Sequence, residues 1–127
     1  MIEEVNDPKT AEEIRQSFLA YNKALDAGEA EALNGFFWNS PSTVRFAPTE
    51  TLFGYEAISN FRSRQWKGGG VDRTVETLAV IVLGRDVGIT NAVIASPDGR
   101  RSRQSQTWAR MPVGWRIVSA HVSPAPA

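Results

Sequence analysis

RTVETLAVIVLGRDVGITNAVIASPDGRRSRQSQTWARMPVGWRIVSAHVS, residues 73–123, is the stretch on which the fold turns. It is rich in Val, Ile, Thr and Trp, the residues that suit a pleated and half-buried surface. Gly84-Arg85-Asp86, Pro97-Asp98-Gly99-Arg100 and Pro112-Val113-Gly114 punctuate it as turns. Strands are therefore predicted over 73–83, 87–96, 102–111 and 115–123. Such short connections make an antiparallel meander. Side chains alternate along each strand. Gln104, Gln106 and Trp108 should then share one face, and Ser105 and Thr107 the other. In the last strand the same rule groups Trp115, Ile117, Ser119 and His121 against Arg116, Val118, Ala120 and Val122.

Everything before the meander reads mainly as helix. Asp7-Pro8 is a start signal, since Pro is tolerated in a first turn. Ile14, Phe18, Tyr21 and Leu25 follow at spacings of 4, 3 and 4, one stripe of an amphipathic helix that ends at Asp26-Ala27-Gly28. A second short helix begins near Glu29, with Leu33, Phe36 and Phe37 as its apolar side, and Asn39-Ser40-Pro41-Ser42 is a turn. Thr43-Val44-Arg45-Phe46 favours extended chain, and residues 52–54 form a second short extended piece. A third helix covers 55–65, with Ile58, Phe61, Arg62 and Gln65 on one face. The triple glycine at 68–70 ends it; with no strand before it and no Lys-Ser/Thr after it, it is not a phosphate loop. Helices first and an antiparallel sheet last give an α+β domain, with helices on one face of a curved sheet. Residues 1–7 and 124–127 read as loose ends of a single domain spanning 1–127.

Composition narrows the function. With 14 basic and 14 acidic residues the net charge is zero, so no nucleic-acid or membrane footprint is expected. The 127 residues are 42% hydrophobic, enough for one core, and no apolar run reaches the ~20 residues that span a bilayer. There is no cysteine and only one histidine, His121, with no HxH or HxxxH spacing. Thiolate chemistry is excluded and a metal site is not indicated. No GxSxG elbow is present. A cytoplasmic location is the reading most consistent with the missing cysteines and the acidic, polar N-terminus. Any catalysis must rest on Arg, Tyr, His, Glu or hydroxyl groups in a cavity.

Few residues can serve. Tyr21 faces inward on its stripe, where its hydroxyl needs a partner. Arg45 is either solvated, ion-paired to a nearby carboxylate such as Glu50 or Glu56, or a two-pronged clamp for a ligand carboxylate. Alternation alone does not choose. Arg62 shares the apolar face of its helix, so its head can reach a cavity, whereas Arg64 points to water.

Five segments carry a family resemblance: FLAYNKAL (18–25), FFWNSPSTVRF (36–46), LFGYEAISNFRSRQ (52–65), RQSQTW (103–108) and GWRIVSAHVS (114–123). Together they resemble the AtzH-like family of the SnoaL-like, NTF2-like superfamily. The resemblance implies a cystatin-like cone of three N-terminal helices on a curved antiparallel sheet, and a homodimer formed through that sheet. It implies a decarboxylating amidohydrolase of the dicarboxyurea type, or a role in oxalurate breakdown. These belong to s-triazine and purine or ureide nitrogen catabolism. The family's site uses a tyrosine on the first helix and an arginine on the first strand, which here fall on Tyr21 and Arg45.

The leading expectation is therefore a metal-free, cofactor-free hydrolase of a small carboxylated urea or amide. Arg45 would grip a carboxylate, and Tyr21 would donate a proton or hydrogen bond to the carbonyl or leaving nitrogen. Trp38, Phe53 and Trp108 would wall off water, and Arg62 and His121 would contact substrate. Two alternatives remain at this point. One is a non-catalytic carboxylate binder or scaffold, suggested by the lack of an obvious base. The other is an isomerase of the ketosteroid-isomerase kind, whose base would have to be Glu50, Glu56 or Glu76.

Overall fold

The computed structural model describes residues 1–126. Helix α1 (Pro8–Ala27) is followed by α2 (Ala30–Asn34), β1 (Val44–Phe46), β2 (Thr51–Phe53) and α3 (Tyr55–Arg64). The meander follows as β3 (Thr74–Leu83), β4 (Val87–Ala95), β5 (Arg101–Met111) and β6 (Gly114–Pro124). The cone is thus the expected one, with helices first and the meander last.

Local chemistry explains the helix ends. The Asp7 carboxylate accepts from the Thr10 backbone N–H, satisfying a first-turn donor of α1, with Pro8 in that turn. Gly28 adopts the left-handed conformation (φ 77°) that closes α1 and turns the chain into α2. Helix α2 stops at Asn34, short of the predicted apolar side. Phe36 and Phe37 lie beyond it, and Phe37 bridges to Ile117 on β6. Gly88 lets α1 lie close on the sheet, since a Cβ there would stand 2.1 Å from Ile14 Cδ1.

The sheet order is β2-β1-β6-β5-β4-β3. All neighbours are antiparallel except β1 and β6, which run parallel with Arg45 opposite Ala120. Alternation within the meander did not reveal this pairing, because nothing local in either strand encodes its partner. The pairing sets residue 45 beside residue 120.

The face grouping predicted for β6 needs correction. Thr107 pairs with Ser119 but Trp108 pairs with Ile117, so Val118 is an extra residue, a bulge that shifts the phase. Ile117 and Ala120 both turn inward and are buried, while Ser119 and His121 are exposed on the outer face. The loose ends also need revision. Val5 bridges to Leu83, the Asn6 backbone N–H donates to Val82 O, and Gly84 N–H donates to Glu4 O, so residues 4–6 cover the C-terminal end of the β3 edge. At the other end Pro124 belongs to β6 and Ala125 N–H donates to Arg101 O; Ala127 lies outside the described residues.

The inward face of the sheet is graded. Trp108, Ile117 and Val82, all fully buried, pack with Ile14, Phe18, Leu33 and Ile58 from the helices. Toward the other end of β5 and β6 the inward residues become Gln106, Gln104, Ala120 and Val122. There the helices and sheet do not meet, and a cavity remains.

Candidate active site

The cavity holds about 300 Å³, the lower end of the size range for small-molecule sites. Helix α1 contributes Tyr21, Leu25 and Asp26; the sheet contributes Arg45, Gln104, Gln106, Ala120 and Val122. The loop after α3 closes the mouth with Trp66, Gly68 and Gly69.

Arg45 looks inward. Val44 and Phe46 occupy the outer face, where Phe46 meets Phe53 edge-on at 5.6 Å. The apolar pair of this strand thus faces out and the arginine faces in, reversing the usual arrangement for a sheet packed on a core. The guanidinium is 9% exposed by residue and lies 5.8 Å from the Phe61 ring centroid. Its Nη1 is 3.5 Å from Glu50 Oε1, an ion pair without a hydrogen bond. Glu50 is presented by the tight β1–β2 turn, in which Ala47 and Glu50 exchange backbone hydrogen bonds. The Thr49 backbone N–H and hydroxyl both donate to the other Glu50 oxygen.

Arg62 is 1% exposed and has no carboxylate partner among the described residues. Its Nη2 donates to the Tyr21 hydroxyl oxygen at 3.3 Å, its Cζ lies 4.9 Å from the Trp66 ring centroid, and its Nε and Nη1 have no partner among the described residues. Burial pushes this guanidinium below its ordinary value; Tyr21 opposes that shift, while the charge of Arg45 adds to it. Tyr21, 3% exposed, is steadied edge-on by Phe36 and Phe37. Its oxygen accepts from Arg62, so its proton is available to a ligand.

The remaining candidates are distributed differently. Trp108 is fully buried below the cavity rather than on its wall, and its indole N–H donates to Thr90 Oγ1 at 3.0 Å. Trp38 borders a separate surface groove with Phe37, Tyr55 and Val113. Phe53 is 66% exposed on the outer face. His121 borders the cavity, but its ring stands on the outer face 6.0 Å from Phe46, because its strand partner is Phe46 and not Arg45. Arg45, Tyr21 and Arg62 are therefore brought together, while Trp38, Phe53 and the His121 ring are not. Of the carboxylates considered as a base, Glu50 is held by Arg45, Glu56 is exposed, and Glu76 is bound to Arg101. Among the described residues no cluster of His, Cys, Asp or Glu is grouped to hold a metal ion.

Sequence reasoning missed four contributors. Gln104 and Gln106, buried on β5, were visible as a polar pair on one face of a buried strand, which is itself a signal. Asp26 and Arg73 pair at 2.6 Å near the mouth, with Arg73 also reaching Asn22. Only the tertiary fold joins these two.

No curated protein matches the chain. Among solved structures it is similar to a cystatin-like fold protein from Burkholderia xenovorans LB400, 35% identical over 98% of both chains with a TM-score of 0.90. It is similar also to a protein of unknown function from Pectobacterium atrosepticum SCRI1043, of the DUF3225 family, 33% identical over 96% of this chain and 95% of that one (TM-score 0.88). An NTF2-like protein with a cystatin-like fold from Novosphingobium aromaticivorans shares the architecture at 22% identity, covering 94% and 84% of the two chains (TM-score 0.70). The AtzH-like family model matches residues 3–126, and the chain belongs to the AtzH-like family.

Proposed function

We propose that this protein is a metal-free amidohydrolase of a small carboxylated urea or oxalurate-like amide. One observation carries the reading: two buried guanidiniums, Arg45 and Arg62, lie beside a cavity-lining tyrosine, and among the described residues only Arg45 is paired with a carboxylate, Glu50. An uncompensated buried charge costs several kcal/mol, roughly, and such a site is completed by an anion of opposite sign. Arg45 holds the substrate carboxylate, with the charge of Arg62 behind it. Tyr21 donates its proton toward the scissile group. Water adds through its oxygen to the carbonyl carbon, the C–N bond breaks, and the leaving nitrogen takes up a proton. Where the acid released is a carbamate, it goes on to lose CO2.

The test is to incubate purified protein with carboxylated ureas and oxalurate-like amides while following ammonia and CO2. Turnover should fall about 100-fold or more in Tyr21→Phe and in Arg45→Met; undiminished activity in both would sink these roles. A second reading, a carboxylate binder without turnover, is favoured by one feature. Among the described residues that line the cavity, the only carboxylate side chain, Asp26, is bonded to Arg73. Thermal stabilisation by the same compounds with no product identifies that case.

A cytoplasmic homodimer is proposed as the working assembly. The outer sheet face supports it: Phe53, Ile81 and Val87 are exposed there, at both ends of the sheet. No helix among the described residues is long and apolar enough to cross a membrane. Sedimentation equilibrium should give twice the 14.0 kDa chain mass and a shift toward monomer in Phe53→Ser.

A further inference from the structure

Trp66-Lys67-Gly68-Gly69-Gly70 leads from α3 toward β3, and its glycines meet different demands. Gly69 and Gly70 stand at positive φ, 101° and 68°, where side chains are strained. Gly68 does not; what it supplies is space. A Cβ there would stand 2.4 Å from Cε2 and Nε1 of Trp66. The indole therefore packs on the Gly68 backbone, and only a residue without a side chain fits beneath it. Both ends of the segment are tied down. The Trp66 backbone N–H donates to Phe61 O at 3.0 Å, and the Gly70 N–H donates to Asp26 O at 2.8 Å, beside the Asp26–Arg73 pair.

The same indole carries the Arg62 guanidinium over its ring. Arg62 has few other holds. Burial works against its charge, and the charge of Arg45 adds to that effect. Its one hydrogen bond among the described residues, to the Tyr21 oxygen, is 3.3 Å long, beyond the usual range for N–H···O. A tryptophan face is the best aromatic partner for a cation, and the attraction is greatest where water is excluded. Tyr21 depends on this in turn. A phenol has one proton to donate besides its acceptor sites. With Arg62 on an acceptor site the proton points elsewhere; without Arg62 the hydroxyl is free to turn.

We propose that Trp66 is a positioning residue: its indole, seated on Gly68, holds Arg62 against the Tyr21 oxygen and so fixes where the Tyr21 proton points. Trp66 acts through Arg62 and is given no contact with the reacting atoms. The assignment rests on Tyr21 as the proton donor of the reading above. It also explains why a loop that binds no phosphate carries three glycines in a row: two shape the turn, and the first seats the indole.

The arginine Nε–H resonances of the full chain report the hold directly, with Arg62 identified by the signal missing from Arg62→Met. In the wild type that signal should lie upfield of the ordinary arginine position, moved there by the indole ring current. Trp66→Leu removes the ring and Gly68→Ala displaces it. Each should return the Arg62 signal to the ordinary position and lower kcat on carboxylated ureas about tenfold or more. Trp66→Phe keeps an aromatic face and should restore the shift and most of the lost kcat. Gly68→Ala added to Trp66→Leu should change neither further, since no indole is left to displace. An unmoved Arg62 signal in Trp66→Leu overturns the inference whatever happens to kcat. A moved signal with undiminished kcat overturns it too, because Tyr21 then has no need of the arginine. Gly68→Ala leaves the indole intact and decides the matter where Trp66→Leu does not fold. If the wild-type protein turns over none of these compounds, the amidohydrolase reading fails by itself, and the Arg62 signal in the same variants still decides whether Trp66 holds Arg62.

Discussion

Arg62 is held in place against its own interest in the free protein. Its guanidinium is buried, lies over the Trp66 ring, and among the described residues is bonded only to the Tyr21 oxygen. Replacing a buried ion pair or triad by apolar side chains of like volume is often neutral or stabilising by about 1–4 kcal/mol, and a buried charge without a counter-ion has still less attraction to lose. Arg62→Met should therefore melt at or above the wild-type temperature while binding carboxylates at least tenfold more weakly, read by thermal denaturation alongside calorimetry. A drop in melting temperature with unchanged binding would make Arg62 a structural residue. In the wild type, a ligand at 100 times its dissociation constant should add about 2.7 kcal/mol of stability. At this scale the sequence was readable where periodicity speaks. Tyr21 belongs to the Ile14–Phe18–Leu25 stripe and Arg62 to the Ile58 stripe, so both were set inward. It was silent where the partner is distant: Arg45 could be assigned to either face until β1 found Ala120.

The helix and loop around the mouth depend on one close approach. Gly69 has φ 101°, and a Cβ on it would stand 2.4 Å from Gly28 Cα at the end of α1. Gly69→Ala meets both strain and backbone, and should cost ~1–3 kcal/mol. It should also raise KM through the displaced loop, measured by chemical denaturation and by saturation kinetics. Farther from the site, Glu13 ties α1 to the last hairpin, accepting from the Trp115 indole and from Arg110. The Trp115 hydrogen bond is the main reason its carboxyl lies below its ordinary value of 4.5. A carboxylate favoured by folding adds stability that is whole above 4.5 and vanishes as pH falls through the lower folded value. Asp7, lowered mainly by the Thr10 hydroxyl, acts in the same direction. Glu13→Gln should thus lose less melting temperature than the wild type on acidification from ~pH 5 to ~pH 3. Strand boundaries were legible to within a residue or two, because Gly and Pro turns fix them. The face of His121 was not, since the extra residue at Val118 leaves no mark in a run of strand-forming side chains.

Taken whole, the molecule is closed by a join between its first half and its end. The helices-then-meander order made the α+β class plain, and the family resemblance supplied the cone. What neither alternation nor composition carried was the parallel pairing of β1 with β6. That join has a consequence for synthesis. The β1–β2 hairpin is only three residues per strand, too small to persist alone, and its docking strand is the last one made. A nascent chain lacking residues 119–121 holds Tyr21 and Arg45 but no surface to seat Arg45. No truncated intermediate has a usable pocket, and the Val44 and Phe46 side chains wait uncovered on the ribosome. Arrested chains ending before residue 115 should bind hydrophobic dye and resist stabilisation by carboxylates, whereas chains that expose residue 124 beyond the exit tunnel should do the reverse.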